Sequence, residues 1–246
     1  MPAVKGDSPC RKGHTKENVR NPSQIRFNAD TKACKGSAVT GCRVGVYIPD
    51  TDPGRGDRSM LKLPIETPRL HIRRFQGKDI SAFVAFVTAP HAARNHGLEE
   101  WQTQPEGARV LFDHILSQYG SPQPLHCYAL AERESDQAIG SCGYSIYAPG
   151  IAECYYGVNA GHEGKGLASE ATRTLITSLL ALPEIHEIRA YCAPENRASH
   201  RVAENAGMQE RGIQRHANAG VDRLLFSLQQ GNRETGANTN SSAETN

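Results

Sequence analysis

The residues best suited to chemistry cluster in one stretch, Glu153-Cys154-Tyr155-Tyr156-Gly157-Val158 and then Gly161-His162-Glu163-Gly164-Lys165-Gly166-Leu167-Ala168. Residues 151–158 are rich in β-branched and aromatic types and read as a strand. From Leu167 onward the apolar residues Ala171, Leu175, Leu179 and Leu182 recur close to the repeat of an amphipathic helix. Gly161, Gly164 and Gly166 dot the turn between the two. Strand, glycine turn and helix make an anion site. The first N–H groups of a helix have no partner within it and lie at the positive end of its dipole. Glycines let those groups come close to phosphate oxygens. The bland alternative is a helix start whose glycines only shape the turn.

Three phosphate loops compete for this stretch. A P-loop needs Gly-x-x-x-x-Gly-Lys-Ser/Thr, but Lys165 is followed by Gly166 and the position five before Gly164 is Asn159. A dinucleotide fingerprint needs a third glycine where Ser169 stands, and no βαβ context precedes it. The third is the acyl-CoA pyrophosphate loop of the GNAT superfamily of N-acetyltransferases, Gln/Arg-x-x-Gly-x-Gly/Ala. Glu163-Gly164-Lys165-Gly166-Leu167-Ala168 resembles it, and Gly-Lys-Gly-Leu-Ala-Ser-Glu-Ala is similar to the RimJ/RimL-like branch. Glu163 departs from that pattern, since an acidic side chain beside a pyrophosphate repels it unless it turns outward and offers only its N–H.

The resemblance implies roles for further residues. Tyr156 and Val158, at the end of the strand, would pair with the pantetheine arm as an added strand and place an N–H near the thioester oxygen. Main-chain groups of Glu163, Gly164, Lys165, Gly166, Leu167 and Ala168 would hold the pyrophosphate. Glu153 matches the family's Ala-Glu-x-x-Tyr pattern and is the candidate base for the acceptor amine, acting through water or with a raised pKa. Otherwise Glu153 is a solvated strand residue. Tyr155 stands where that pattern has Gly, which narrows the expected cleft floor. Pro194-Glu195-Asn196-Arg197-Ala198-Ser199, ending in Asn205-Ala206-Gly207-Met208, resembles the family's Asn-x-x-Ser and Gly-Phe signature, with Met208 for Phe. Asn196 would bond the pantetheine arm, or simply cap a helix. Ser199 would protonate the leaving sulfur, because no tyrosine occurs in 193–210.

These residues need a scaffold, and the surrounding pattern supplies one. Strands are expected at 65–75, 125–132, 138–147, 151–158, 187–192 and 224–228, with helices at 78–87, 107–118, from 167, and at 198–206. The order β-α-α-β-β-β-α-β-α-β is that of the GNAT fold, an α/β (α+β) architecture with helices on both faces of a mixed central sheet. Residues 61–229 form the expected domain.

Residues 1–60 are poor in large apolar side chains, with eleven Lys/Arg against six Asp/Glu before Met60, and disorder is expected there. Met60 is read as a candidate functional start. A polar tail, 230–246, is also expected to be disordered.

The charge balance, 28 basic against 26 acidic residues and a net +2, does not suggest nucleic-acid binding. No apolar run has the length of a membrane span. Seven cysteines without a Cys-x-x-Cys pair argue for buried thiols in a reducing, cytoplasmic setting. No metal is expected: His162-Glu163 lacks the second His of a zinc-protease motif, Gly166 standing there, and none of the ten histidines is assigned a role. The reading is an N-acetyltransferase that uses acetyl-CoA as co-substrate on a peptide N-terminus or small-molecule amine, as a monomer or homodimer. The alternative is a non-catalytic acyl-CoA-binding module. Acceptor choice is expected to come from 88–105, including Glu99, Glu100 and Trp101, from 145–152, and from 215–222.

Overall fold

The computed structural model describes residues 61–90, 95–96, 98–122, 124–217 and 219–231; the extension over 1–60 and the tail beyond 231 lie outside the described residues. The elements run β1 (Ile65–Glu66), β2 (Leu70–Arg74), α1 (Ile80–Val87), α2 (Pro105–Gln118), β3 (Cys127–Glu132), β4 (Ala138–Ala148), β5 (Ile151–Val158), α3 (Leu167–Leu180), β6 (Glu187–Cys192), α4 (Arg197–Asn205), β7 (Gln209–Arg215) and β8 (Asp222–Gln229). The strands form one sheet in the order β1-β2-β3-β4-β5-β6-β8-β7. Neighbours are antiparallel throughout, except for the parallel pair β5–β6. This is the expected mixed sheet.

Strand alternation divides the core in two. On one face Leu70, Ile72, Leu130, Cys142, Cys154, Tyr156, Ile188 and Phe226 pack with Leu175, Ile176 and Leu179 of α3. On the other, Phe75 and Ala129 meet Phe83, Phe86, Phe112 and Ile115 of α1 and α2. Three of those phenylalanine rings lock together, with centroids of Phe75, Phe83 and Phe112 between 5.2 and 5.7 Å apart. The α1–α2 cluster draws on β3, β4 and Phe75 just past β2, so its helices cover that half of the face. Glu153, Arg189 and Tyr191, on β5 and β6, are only partly buried.

The strand expected over 65–75 is broken into the two-residue β1 and β2, and β7 was not expected. All seven residues of β7 are exposed, so the strand presents no core-facing pattern; it is held by its ladder to β8 and by the bond from Arg211 Nε to Ser227 Oγ.

One polar group is buried within the β2 end of the sheet. The Arg73 guanidinium donates to Asp79 at 2.7 and 3.2 Å and to the Asp136 carboxylate at 2.6 Å, and Asp79 is only 3% exposed. Substituting Arg73 with methionine leaves the Asp79 charge buried and unpaired. That costs about 3–5 kcal/mol, a fall in Tm on the order of 10 °C by scanning calorimetry.

Candidate active site

The glycine turn adopts the geometry its sequence implies. Gly161, Gly164 and Gly166 all have positive φ, and Gly166 (φ 75°) is the N-cap of α3. With no side chain, Gly166 leaves the helix start without a side-chain cap, and the first helical bond runs from Glu170 N–H to Gly166 C=O at 3.0 Å. The N–H groups of Leu167, Ala168 and Ser169 precede that bond and lie at the positive end of the dipole. These are the groups a pyrophosphate needs, so the turn fits the carrier. The Leu167 side chain is buried in the core, whereas Glu163, Gly164, Lys165 and Gly166 are exposed.

The turn is braced from β2 by contacts between residues about a hundred positions apart. Glu170 accepts from Thr67 Oγ1 (2.6 Å), Arg69 N–H (2.9 Å) and Arg69 Nε (2.6 Å), while Arg69 Nη1 donates to Lys165 C=O at 2.9 Å. Partial burial pushes the Glu170 carboxyl up, but the hydrogen bonds from Thr67 and Arg69 together outweigh it and hold it below the ordinary range. A depressed carboxyl stabilises the fold above its unfolded value, usually 4.5, and that contribution fades as pH falls through the folded value. Glu170→Ala is therefore expected to flatten the acid side of a Tm–pH curve and to weaken CoA binding on the order of tenfold by calorimetry.

Beside this turn the sheet opens. β5 pairs with β6 only at Ile151↔Glu187, Ala152↔Ile188 and Glu153↔Arg189, whereas its ladder with β4 runs on to Val158. From Cys154 onward the β6-side edge of β5 has no ladder partner among the described residues. This free edge, at Tyr156 and Val158, is where an extended arm can add itself as a strand.

Across the gap stand the residues of the second signature. Asn196 caps α4, its Oδ1 accepting from Ser199 N–H at 3.1 Å; this occupies the oxygen and leaves the amide NH2 for another acceptor. Ser199 lies 3.1 Å from Cys192 Sγ and donates to the Tyr156 hydroxyl at 3.4 Å, and that hydroxyl in turn donates to Ser199 C=O at 3.0 Å. A tyrosine does therefore reach Ser199, from β5 rather than from the 193–210 segment. Burial pushes the Tyr156 phenol well up and the Cys192 thiol up, so both stay protonated at neutral pH. The Tyr156 ring belongs to the α3-side core, and its main chain lies along the free edge of β5.

Glu153 lies on the opposite face, its side chain 24% exposed. Its carboxylate meets His216, carried in by the turn between β7 and β8, and His216 packs edge-on against Tyr191 (4.5 Å) and Tyr147 (5.7 Å). No histidine was assigned from sequence, and nothing local in the sequence marks His216. Tyr155 sits over Gly143, where a Cβ would lie 2.6 Å from its ring, and its hydroxyl is 3.4 Å from Ser141 Oγ. In the 88–105 segment Trp101 bonds Glu99 through its indole N–H at 2.6 Å, a locally satisfied pair.

A mixed sheet parted at a parallel pair, with an uncapped glycine turn at the gap's end, has room for an extended anionic ligand between its strands. The chain belongs to the GNAT family: residues 69–209 match the acetyltransferase (GNAT) domain. It is 27% identical over 168 residues to the uncharacterized N-acetyltransferase p20 of Bacillus licheniformis, covering 66% of this chain and 93% of that one. Among solved structures it is similar in fold to a GNAT-family acetyltransferase from Bacillus anthracis, with TM-score 0.55, 23% identity, and coverage of 67% of this chain and 97% of that chain. It also resembles Mycobacterium smegmatis RimJ in complex with CoA-disulfide, with TM-score 0.50, 17% identity, and coverage of 70% and 91%. The chain is an N-acetyltransferase.

Among the described residues no helix is long and apolar enough to cross a membrane.

Proposed function

We propose that the enzyme transfers an acetyl group from acetyl-CoA to a primary amine, a peptide N-terminus or a small molecule, by direct attack in a ternary complex. The observation that supports this reading is the placement of residues about the parted strands. The start of α3 and Ser199 lie on the α3–α4 side of the sheet, and Glu153 lies on the other. Acetyl-CoA, when bound, supplies a thioester carbonyl as the electrophile.

The chain's own groups divide the remaining work. Main-chain N–H groups from Glu163 to Ala168 hold the phosphates, the free edge at Tyr156 and Val158 orients the arm, and the Asn196 amide bonds it. Glu153 takes the proton of the acceptor ammonium, directly or through one water. Ser199 Oγ holds the proton for the departing sulfur, with the Tyr156 hydroxyl behind it. Burial pushes the Cys154 and Cys192 thiols up, which favours the thiol over the nucleophilic thiolate at both positions.

The test mixes the protein with acetyl-CoA and a panel of peptides and small amines. CoA release matched by N-acetylated product is the expected result. Calorimetric CoA binding with no release across the panel would overturn the transfer reading and leave carrier binding alone.

A further inference from the structure

The unassigned contact that bears most directly on the chemistry is the one between Glu153 and His216, 63 residues apart in the chain. Nε2 of His216 lies 3.0 Å from each carboxylate oxygen of Glu153. On the other side of the ring, Ala219 N–H points at Nδ1 from 3.0 Å. A backbone N–H can only donate, so Nδ1 must be the acceptor and the ring proton sits on Nε2. The tautomer is thereby fixed, and Nε2–H donates to the carboxylate.

Two consequences follow. Both ring nitrogens are used within the protein, so the imidazole has none left for a substrate and is not itself the base. The His216 side chain is 11% exposed against 24% for Glu153, so the carboxylate is the more open of the pair to solvent. The ring cannot readily swing away, because Tyr191 and Tyr147 pack edge-on against it.

We propose that His216 is a positioning residue that holds the Glu153 carboxylate by a hydrogen bond and aims it at the acceptor amine. The proposal rests on the assignment of Glu153 as the acceptor-side base. Other titratable or charged groups around the pair are Tyr147 from β4, Cys154 on β5 itself, Glu187, Arg189 and Tyr191 from β6, and Arg215 and Asp222 flanking the turn. Arg189 is held by Glu187 at 2.6 Å and Arg215 by Asp222 at 3.3 Å. His216 is the group whose hydrogen bond reaches Glu153.

A donor held in place orients the carboxylate it bonds, so removing the donor releases the Glu153 side chain from that geometry. His216→Ala is expected to lower kcat/KM at neutral pH by ~10- to 100-fold, with the loss carried by kcat rather than by KM. His216→Gln, which donates an N–H without titrating, is expected to recover most of that loss. In the double variant with Glu153→Gln, His216→Ala should add almost nothing, because the two act as a unit. The assay is CoA release from acetyl-CoA with an alanine-initiated peptide or butylamine, on variants whose melting curves match the parent.

Nitrogen-15 spectra of labelled histidine give a readout that needs no acceptor. They should show His216 as the Nε2–H tautomer. The Nδ1–H tautomer would overturn the proposal. If Glu153→Gln is slow while His216→Ala keeps the parent's rate, His216 alone is refuted. If Glu153→Gln turns over normally, the base assignment fails and the role of His216 fails with it.

Discussion

Valine in place of Gly166 is expected to cut CoA affinity by about a hundredfold while leaving the chain folded. The reason is conformational before it is steric. Gly166 holds φ at 75°, and the nearest atom to an added Cβ is Arg69 Nη2 at 3.7 Å, so space is available. A β-branched residue nevertheless resists the left-handed region, at a cost of roughly 1–3 kcal/mol. The exposed turn is the part most able to give in that conflict, since its side-chain bracing comes from Thr67, Arg69 and Glu170. It relaxes, and the amides of Leu167 and Ala168 lose their common direction. Alanine, which tolerates φ > 0 better, should cost less affinity than valine. Gly212, with φ 77° in the β7 bulge, supplies the control: Gly212→Val carries similar strain away from the turn and should leave CoA affinity unchanged. Isothermal titration of the three variants separates the cases. Equal losses at 166 and 212 would mean that affinity follows global stability and not the turn.

What could be foreseen from the residues was what is local. The strand at 151–158, the glycine turn and the helix from Leu167 are contiguous, and each carries its own signal in alternation, punctuation or helical repeat. Their observed bounds agree, with β5 at Ile151–Val158 and α3 from Leu167 to Leu180. What was missed needs the fold closed. Glu170 is locked by Thr67 and Arg69 from the opening strand, Tyr156 reaches Ser199 from 43 residues away, and His216 reaches Glu153 from 63 away. None of these pairs leaves a mark in either residue's own neighbourhood. β7 escaped for a different reason. As an exposed edge strand its sequence Gln-Glu-Arg-Gly-Ile-Gln-Arg is polar on both faces, which keeps an open edge soluble but erases the period that identifies a strand.

The same division bears on mechanism. The groups proposed to hold the carrier come mostly from one continuous stretch. The groups proposed to govern proton movement are drawn from β5, β6, α4 and the β7–β8 turn. Variation in that turn would change proton handling while leaving the carrier site untouched.

Glu153→Gln is expected to lower kcat by ~10²- to 10⁴-fold at neutral pH, the range associated with loss of a positioned general base. Glutamine is nearly isosteric, and its Oε1 can still accept from His216 Nε2–H, so the change removes the proton acceptor more than the local geometry. The pH dependence carries the sharper test. The parent can bind the ammonium form of the acceptor and strip its proton; the variant must wait for amine that is already neutral. Its rate should therefore climb with pH, and the deficit relative to the parent should be greatest on the acid side. The climb ends where the acceptor itself is deprotonated, near 7.7–8.0 for a peptide α-amino group and about 10.4 for an aliphatic amine. The break in the variant's profile thus reads the ionisation of the group being acetylated, which separates N-terminal from side-chain or small-amine acceptors. A rate ratio near one at every pH would show instead that solvent removes the proton, and Glu153 would then be a hydrogen-bonding partner for His216 and nothing more.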